Sequence, residues 1–208
     1  MSIVIAHEKR RREILAHALE VFITEGFEAT TFQKIADRAH ITRTTLYLYF
    51  KNKKDLFNYS IKQLMSEVEG RILAVQKDTT LNTVDKLIQV LWVIMDHLEE
   101  NQRLLQVILD YLRCLSAREG SAETRVRRRT IRLRHILATM VIAGIREGAF
   151  KPITVRNADD LLYGLLEAAT FQLTVLGRPS VEGLKHAAAL AVQRLQVDSP
   201  PRGEAKIP

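Results

Sequence analysis

The sequence predicts an all-α protein with a three-helix N-terminal domain and a larger helical domain behind it. Three observations lead there. Apolar residues recur at helical spacing along nearly the whole chain, and glycine and proline punctuate it at Gly26, Gly120, Gly148 with Pro152, and Gly177 with Pro179. No alternating pattern long enough for a strand occurs, nor any internal repeat. Finally, residues 30–57, TTFQKIADRAHITRTTLYLYFKNKKDLF, read as two short helices around a tight turn with a third starting just after, which is helix-turn-helix geometry. The expected division is 1–54 for the N-terminal domain, 55–197 for the helical domain and 198–208 for a disordered polar tail.

Taken in order, residues 1–7 are expected to form a mobile arm. A helix over 8–25 follows, with Ile14, Leu15, Ala18, Val21 and Phe22 as its buried stripe and Gly26 as its end. The basic run Lys9 to Arg12 lies at its start, where the helix dipole disfavours positive charge; phosphate contact and a solvated end are both open. Next, Phe32, Ile35, Ala36 and Ala39 give the second helix an apolar face, with Thr30 or Thr31 as its cap and an end near His40. Ile41 plugs the angle, and Thr42 caps a third helix from Arg43 to about Phe50.

On that third helix, Leu46 and Phe50 point inward at 100° per residue, whereas Thr44, Thr45 and Leu48 point away from the core. Tyr47 and Tyr49 occupy the flanks, and Arg43 extends from the N-terminal end. An outward leucine beside arginine, threonines and tyrosines suits a major groove. There arginine can pair with guanine, threonine can bond a base edge, and leucine can pack on a thymine methyl. Lys51, Lys53 and Lys54 follow within reach of phosphates. The surface offered to double-stranded DNA therefore comprises Thr31, Gln33, Thr42, Arg43, Thr44, Thr45, Tyr47, Leu48, Tyr49, Lys51 and Lys53.

The segment 14–57, and TLYLYFKNKKDLF in particular, resembles the DNA-binding domain of the TetR family of bacterial transcriptional regulators. That family carries a threonine, leucine, tyrosine, any residue, tyrosine or histidine, phenylalanine run, then lysine-rich residues and an acidic-leucine pair. Thr44 stands where the family often has glycine. The resemblance implies a homodimer, an operator with inverted half-sites, and a ligand-binding and dimerisation domain whose cavity takes a small-molecule effector.

Asn52 is the expected cap of a helix that runs unbroken to about Gln76, long enough to leave the small domain and enter the next. A rigid rod of that kind can transmit a tilt. Further helices are expected over 83–100, 101–117, 121–147, 156–176 and 181–196. In the penultimate one, apolar residues from Leu161 to Leu176 leave little polar face, and the last adds Ala187, Ala188, Ala189 and Ala191. Both need cover, so residues 156–196 are expected to pair with a second copy as a four-helix bundle. Large adaptable side chains that could line a pocket, or equally form ordinary core, are Met65, Trp92, Met95, Tyr111, Met140 and Phe171. The basic cluster Arg125, Arg127, Arg128, Arg129, Arg132 and Arg134 reads as a stripe paired with neighbouring acids or as an anion site.

Composition narrows the function classes. A formal net charge of +7 points to a polyanionic partner. The single Cys114 excludes an intramolecular disulfide and a cysteine zinc site, and its place in an apolar run favours a structural thiol. Apolar runs are far shorter than a membrane span and no secretory pattern occurs, so a cytoplasmic location and no membrane partner are expected. No phosphate-cradling glycine loop, HExxH or nucleophile elbow is present, and His7, His17, His40, His97, His135 and His186 are dispersed, so neither catalysis, cofactor nor metal is expected. Two readings remain: a regulator, most simply a repressor, that a small molecule releases from DNA, or a DNA-binding dimer whose large domain serves assembly only.

Overall fold

The computed structural model describes residues 2–116 and 121–197, and the side chains of 7–111 and 130–197. The expected tail at 198–208, Cys114, and Arg125 with Arg127 to Arg129 lie outside the described side chains. Nine helices run among the described residues: α1 (Ser2–Ala29), α2 (Phe32–Arg38), α3 (Arg43–Tyr49), α4 (Lys53–Lys77), α5 (Thr83–Glu100), α6 (Gln102–Ser116), α7 (Ser121–Arg146), α8 (Val155–Thr174) and α9 (Glu182–Leu195).

The chain forms two compact units, and their border departs from the expected 54/55 division. One unit holds Met1–Arg71 with Glu100–Arg125, and the other holds Ile72–Glu99 with Val126–Pro208. The cause is α6, which packs against α1. Its stripe Leu104, Val107 and Tyr111 joins the same core as Ile14, Phe22, Ile35, Leu46, Phe50, Leu56 and Phe57. Phe22, Phe27, Phe57 and Tyr111 form an aromatic cluster there, with Phe27 and Tyr111 centroids 4.3 Å apart and Phe57 and Tyr111 4.8 Å apart. At roughly 1.5–3 kcal/mol for each large apolar side chain buried, this core fixes the short α2 and α3, which could not persist alone.

Local signals explain the ends of the helices. α1 starts at Ser2, so the expected arm at 1–7 is helical from its second residue. Gly26 interrupts α1 with φ 79 and ψ 168, a left-handed φ that glycine adopts without steric cost, and the Thr30 hydroxyl donates to its carbonyl at 2.6 Å. At the other end of α2, Ile41 N–H donates to Ala36 O at 3.0 Å and His40 N–H to Asp37 O at 3.2 Å, with His40 at φ 53. That is a Schellman stop, and it makes the turn of the motif.

In the second unit α8 packs on α9. The indole N–H of Trp92 donates to Lys185 O at 3.0 Å, and Lys185 pairs with Asp96 at 2.9 Å, tying α5 to the start of α9. Glu99 accepts from the N–H of Val181 at 3.0 Å, just ahead of that helix. Phe150 pairs with Gln196 in an isolated bridge after α7, and Gly144 leaves the space that the Phe150 ring fills: a Cβ there would lie 2.1 Å from it. Among the described residues no helix is long and apolar enough to cross a membrane.

Candidate nucleic-acid interface

The α2–turn–α3 unit is built from its buried side upward. Phe32, Ile35, Ala36 and Ala39 are buried on α2, Leu46 is fully buried on α3, and Phe50 just past it is 1% exposed. Thr31 and Thr42 cap the two helices: each side-chain oxygen accepts from the backbone N–H three residues on, Lys34 at 3.3 Å and Thr45 at 3.1 Å. Such a cap contributes about 0.5–2 kcal/mol. With the inner face fixed, the outer face of α3 has no freedom to rotate inward.

That outer face carries the expected residues. Leu48 is 74% exposed, and Arg43 and Thr44 are exposed beside it. Arg43 Nη2 donates to the Tyr47 hydroxyl at 3.2 Å, and Tyr47, itself 48% exposed, rests on Phe32 with centroids 5.0 Å apart. Thr45 is half-buried, and its hydroxyl lies 2.8 Å from that of Thr42, which places part of its hydrogen-bonding capacity inside the cap. Gln33 is exposed on α2 and donates to Asp37 at 2.7 Å. Tyr49 is half-buried at the end of α3, where the His7 ring stacks on it at 4.6 Å.

The lysines divide. Lys51 is exposed, and its backbone N–H donates to Asp55 Oδ2 at 3.2 Å; the Asp55 N–H in turn donates to Asn52 Oδ1 at 2.8 Å, the expected cap of α4. Lys53 is turned the other way. Its ammonium donates to Phe27 O at 2.7 Å and Glu28 O at 3.0 Å and stands 4.5 Å from the Phe27 ring centroid. It thus holds the carbonyl end of α1, where a cation is favoured electrostatically, instead of extending toward solvent as a phosphate contact would. Of the basic run on α1, Arg11 also turns inward, its guanidinium 3.8 Å from the Tyr59 ring centroid, and Arg10 pairs with Glu13 at 2.8 Å. The place of His7 against Tyr49 is not legible in sequence, because a terminal run with Ile3, Val4 and Ile5 reads as a weak helix former and a stack on α3 leaves no trace in spacing.

The six candidate pocket residues are divided between the two units. Tyr111 and Met65 pack in the core around α1 and α6. Met95 and Met140 are buried in the second unit, and Trp92 is half-buried against Lys185. Phe171 is 52% exposed on α8 and lines no interior of the described chain. In the basic stripe, Arg134 bonds Asp159 at 2.7 Å and also Asp160, which raises its pKa above the ordinary arginine value, the bond to Asp160 contributing most. It is thereby engaged by the acids of α8. Among the described residues no group of three histidine, cysteine or acidic side chains could hold a metal ion.

Comparison with known proteins agrees with this geometry. Residues 14–59 match the family model described as bacterial regulatory proteins, tetR family. The chain is 26% identical over 165 residues to the HTH-type transcriptional repressor KstR2 of Mycolicibacterium smegmatis, covering 78% of this chain and 76% of that one. A TetR transcription regulator from Haloarcula marismortui superposes with a TM-score of 0.79 at 19% identity, covering 91% of this chain and all of that one. The regulator FadR from Bacillus subtilis, solved in complex with stearoyl-CoA, gives a TM-score of 0.67 at 22% identity over 87% of this chain and 96% of that one. The outward face of α3, the residues matched around it and these likenesses agree: residues 14–59 form a DNA-binding domain of the tetR family type, in a chain similar over most of its length to transcriptional regulators.

Proposed function

We propose that the protein is a homodimeric repressor that reads an inverted-repeat operator and releases it when a small molecule binds the helical domain. The observation that carries the DNA-reading half is the face of α3, where Arg43, Thr44 and Leu48 stand exposed on a helix whose opposite side is fully buried. An exposed leucine between an arginine and threonines has no reason in water, and it has one against base edges. The repressor sign is supported by the name of the KstR2 relative.

Dimerisation is supported by the apolar residues that α8 and α9 leave uncovered. Leu161, Phe171, Val175 and Leu176 are 48–63% exposed, and Leu190 is 55% exposed. A second copy supplies their cover, and a two-fold protein requires half-sites in inverted order. Response to an effector is supported by α4, one continuous helix whose residues up to Arg71 belong to the first unit and from Ile72 to the second. An effector that stabilises one tilt of α4 sets a recognition-helix spacing that no longer matches successive major grooves, about 34–36 Å apart. The protein acts on chromosomal DNA in the cytoplasm and performs no chemistry of its own.

The test is selection of bound sequences from a random duplex pool, followed by fluorescence anisotropy on the recovered duplex in the presence of candidate effectors. Acyl-CoA thioesters of graded chain length begin the panel, since FadR was solved with stearoyl-CoA. Enrichment of an inverted repeat, and release by at least one compound, is the expected result. A pool that returns no shared sequence removes the DNA-reading proposal, whereas a recovered operator that no effector releases leaves the assembly reading in its place.

A further inference from the structure

The surface proposed to meet DNA is drawn from α2, α3 and the segment just after them, and one side chain from α1 stands against it. His7, on the second turn of α1, stacks on Tyr49, the last residue of α3, with centroids 4.6 Å apart and planes 26° from parallel. One turn further along α1, Arg11 lies over the Tyr59 ring of α4 at 3.8 Å and near Glu8 at 3.7 Å. The start of α1 is therefore docked at two points. Tyr49 is half-buried and packs partly on the core, so the stack adds a second restraint on its χ1 rotamer.

We infer that His7 is a positioning residue for DNA binding, holding the Tyr49 ring so that its hydroxyl is presented to the phosphate backbone beside the groove that α3 enters. Tyrosine hydroxyls are among the neutral donors that fix a protein's register on the duplex without reading bases. A neutral donor adds nothing to the salt slope, so its loss lowers affinity at every salt concentration alike. A side chain already held in its bound orientation avoids the ordering cost at binding, which is the contribution assigned to His7. The inference rests on the proposed reading of α3 as the DNA-contacting helix.

The experiment is a double-mutant cycle on the duplex recovered by selection, read by anisotropy at several salt concentrations. His7→Ala is expected to weaken binding about 3–10-fold with the salt slope unchanged, the range that loss of one hydrogen bond implies. His7→Phe, which keeps a ring in the stack, restores affinity to within about twofold of the parent. In a Tyr49→Phe background, where the ring remains and the hydroxyl is gone, His7→Ala has no further effect, because the two residues act as one. His7→Ala costing as much in that background as in the parent would show that His7 touches DNA directly, and no loss, or no rescue by phenylalanine, would equally overturn the inference. If the parent protein prefers no duplex, the reading of α3 fails first and takes this one with it; if the parent binds and only the variants misbehave, the failure is of the His7 assignment alone.

Discussion

At the scale of single residues, Arg43 and Lys53, ten positions apart in the same motif, have opposite duties. Arg43 is exposed at the N-terminal end of α3, steadied by the Tyr47 hydroxyl at 3.2 Å, so its guanidinium is free to make a bidentate pair with a base. Arg43→Ala should cost about 1–3 kcal/mol on the selected operator and much less on random duplex, measured by parallel titrations. Equal losses on both would assign Arg43 to the backbone. Lys53 binds the carbonyls of Phe27 and Glu28. Lys53→Ala should therefore lower stability by about 1–2 kcal/mol in chemical denaturation and leave the salt dependence of DNA binding intact. Lys51→Ala should do the reverse, reducing the slope of log affinity against log salt by about 0.9 with no change in the denaturation midpoint. The sequence alone offers both lysines to phosphate, because the acceptors of Lys53 lie at the far end of a different helix and no local pattern names them.

At the scale of elements, the turn between α2 and α3 is the part whose geometry the motif depends on most. His40 occupies the left-handed position of its Schellman stop at φ 53, where a side chain with a Cβ is strained and glycine is not. His40→Gly should raise stability by about 0.5–1 kcal/mol without altering the recognition surface, readable as a shift of the thermal midpoint with unchanged operator affinity. A destabilised variant would mean that the imidazole makes a contact worth more than the strain. The elements themselves were legible in sequence: α5 spans Thr83–Glu100, the range its periodicity and flanking breaks define, and Thr31, Thr42 and Asn52 cap the helices they precede. The outer face of α3 was legible for the same reason, since a seven-residue helix with Leu46 inward and Phe50 buried just past its end leaves only one face for the rest. Less visible was the partner of α6. Leu104, Val107 and Tyr111 announce a buried stripe by their spacing, but nothing in it says that the stripe meets α1 and joins the DNA-binding core. Long-range pairing of two amphipathic helices depends on how ridges fit grooves, and that information is spread across both surfaces.

At the scale of the whole molecule, the proposed two-fold assembly would turn one short recognition helix into a specific reader. A seven-residue α3 touches only a few base pairs, and a single copy would bind weakly and briefly. Joining two copies makes the second contact intramolecular, which raises affinity by about 10²–10⁴ without a new contact to DNA. Val175 is the sharpest probe of the proposed junction, being 63% exposed at the end of α8 beside Leu176 at 51%, with Phe171 one turn earlier at 52%. Since its side chain is largely solvent-facing in the single chain, Val175→Glu should leave the fold of the protomer alone. In a dimer closed by α8 and α9 it would bury a carboxylate near the two-fold axis and set it toward its own copy, a cost of several kcal/mol. Sedimentation velocity of the variant should then show a monomer at concentrations where the parent is a dimer, with helical circular dichroism unchanged. Its affinity for the full operator should fall to that of the parent for an isolated half-site. A variant that sediments as the parent does would place the junction elsewhere and leave the exposed apolar stripe of α8 without its assigned partner.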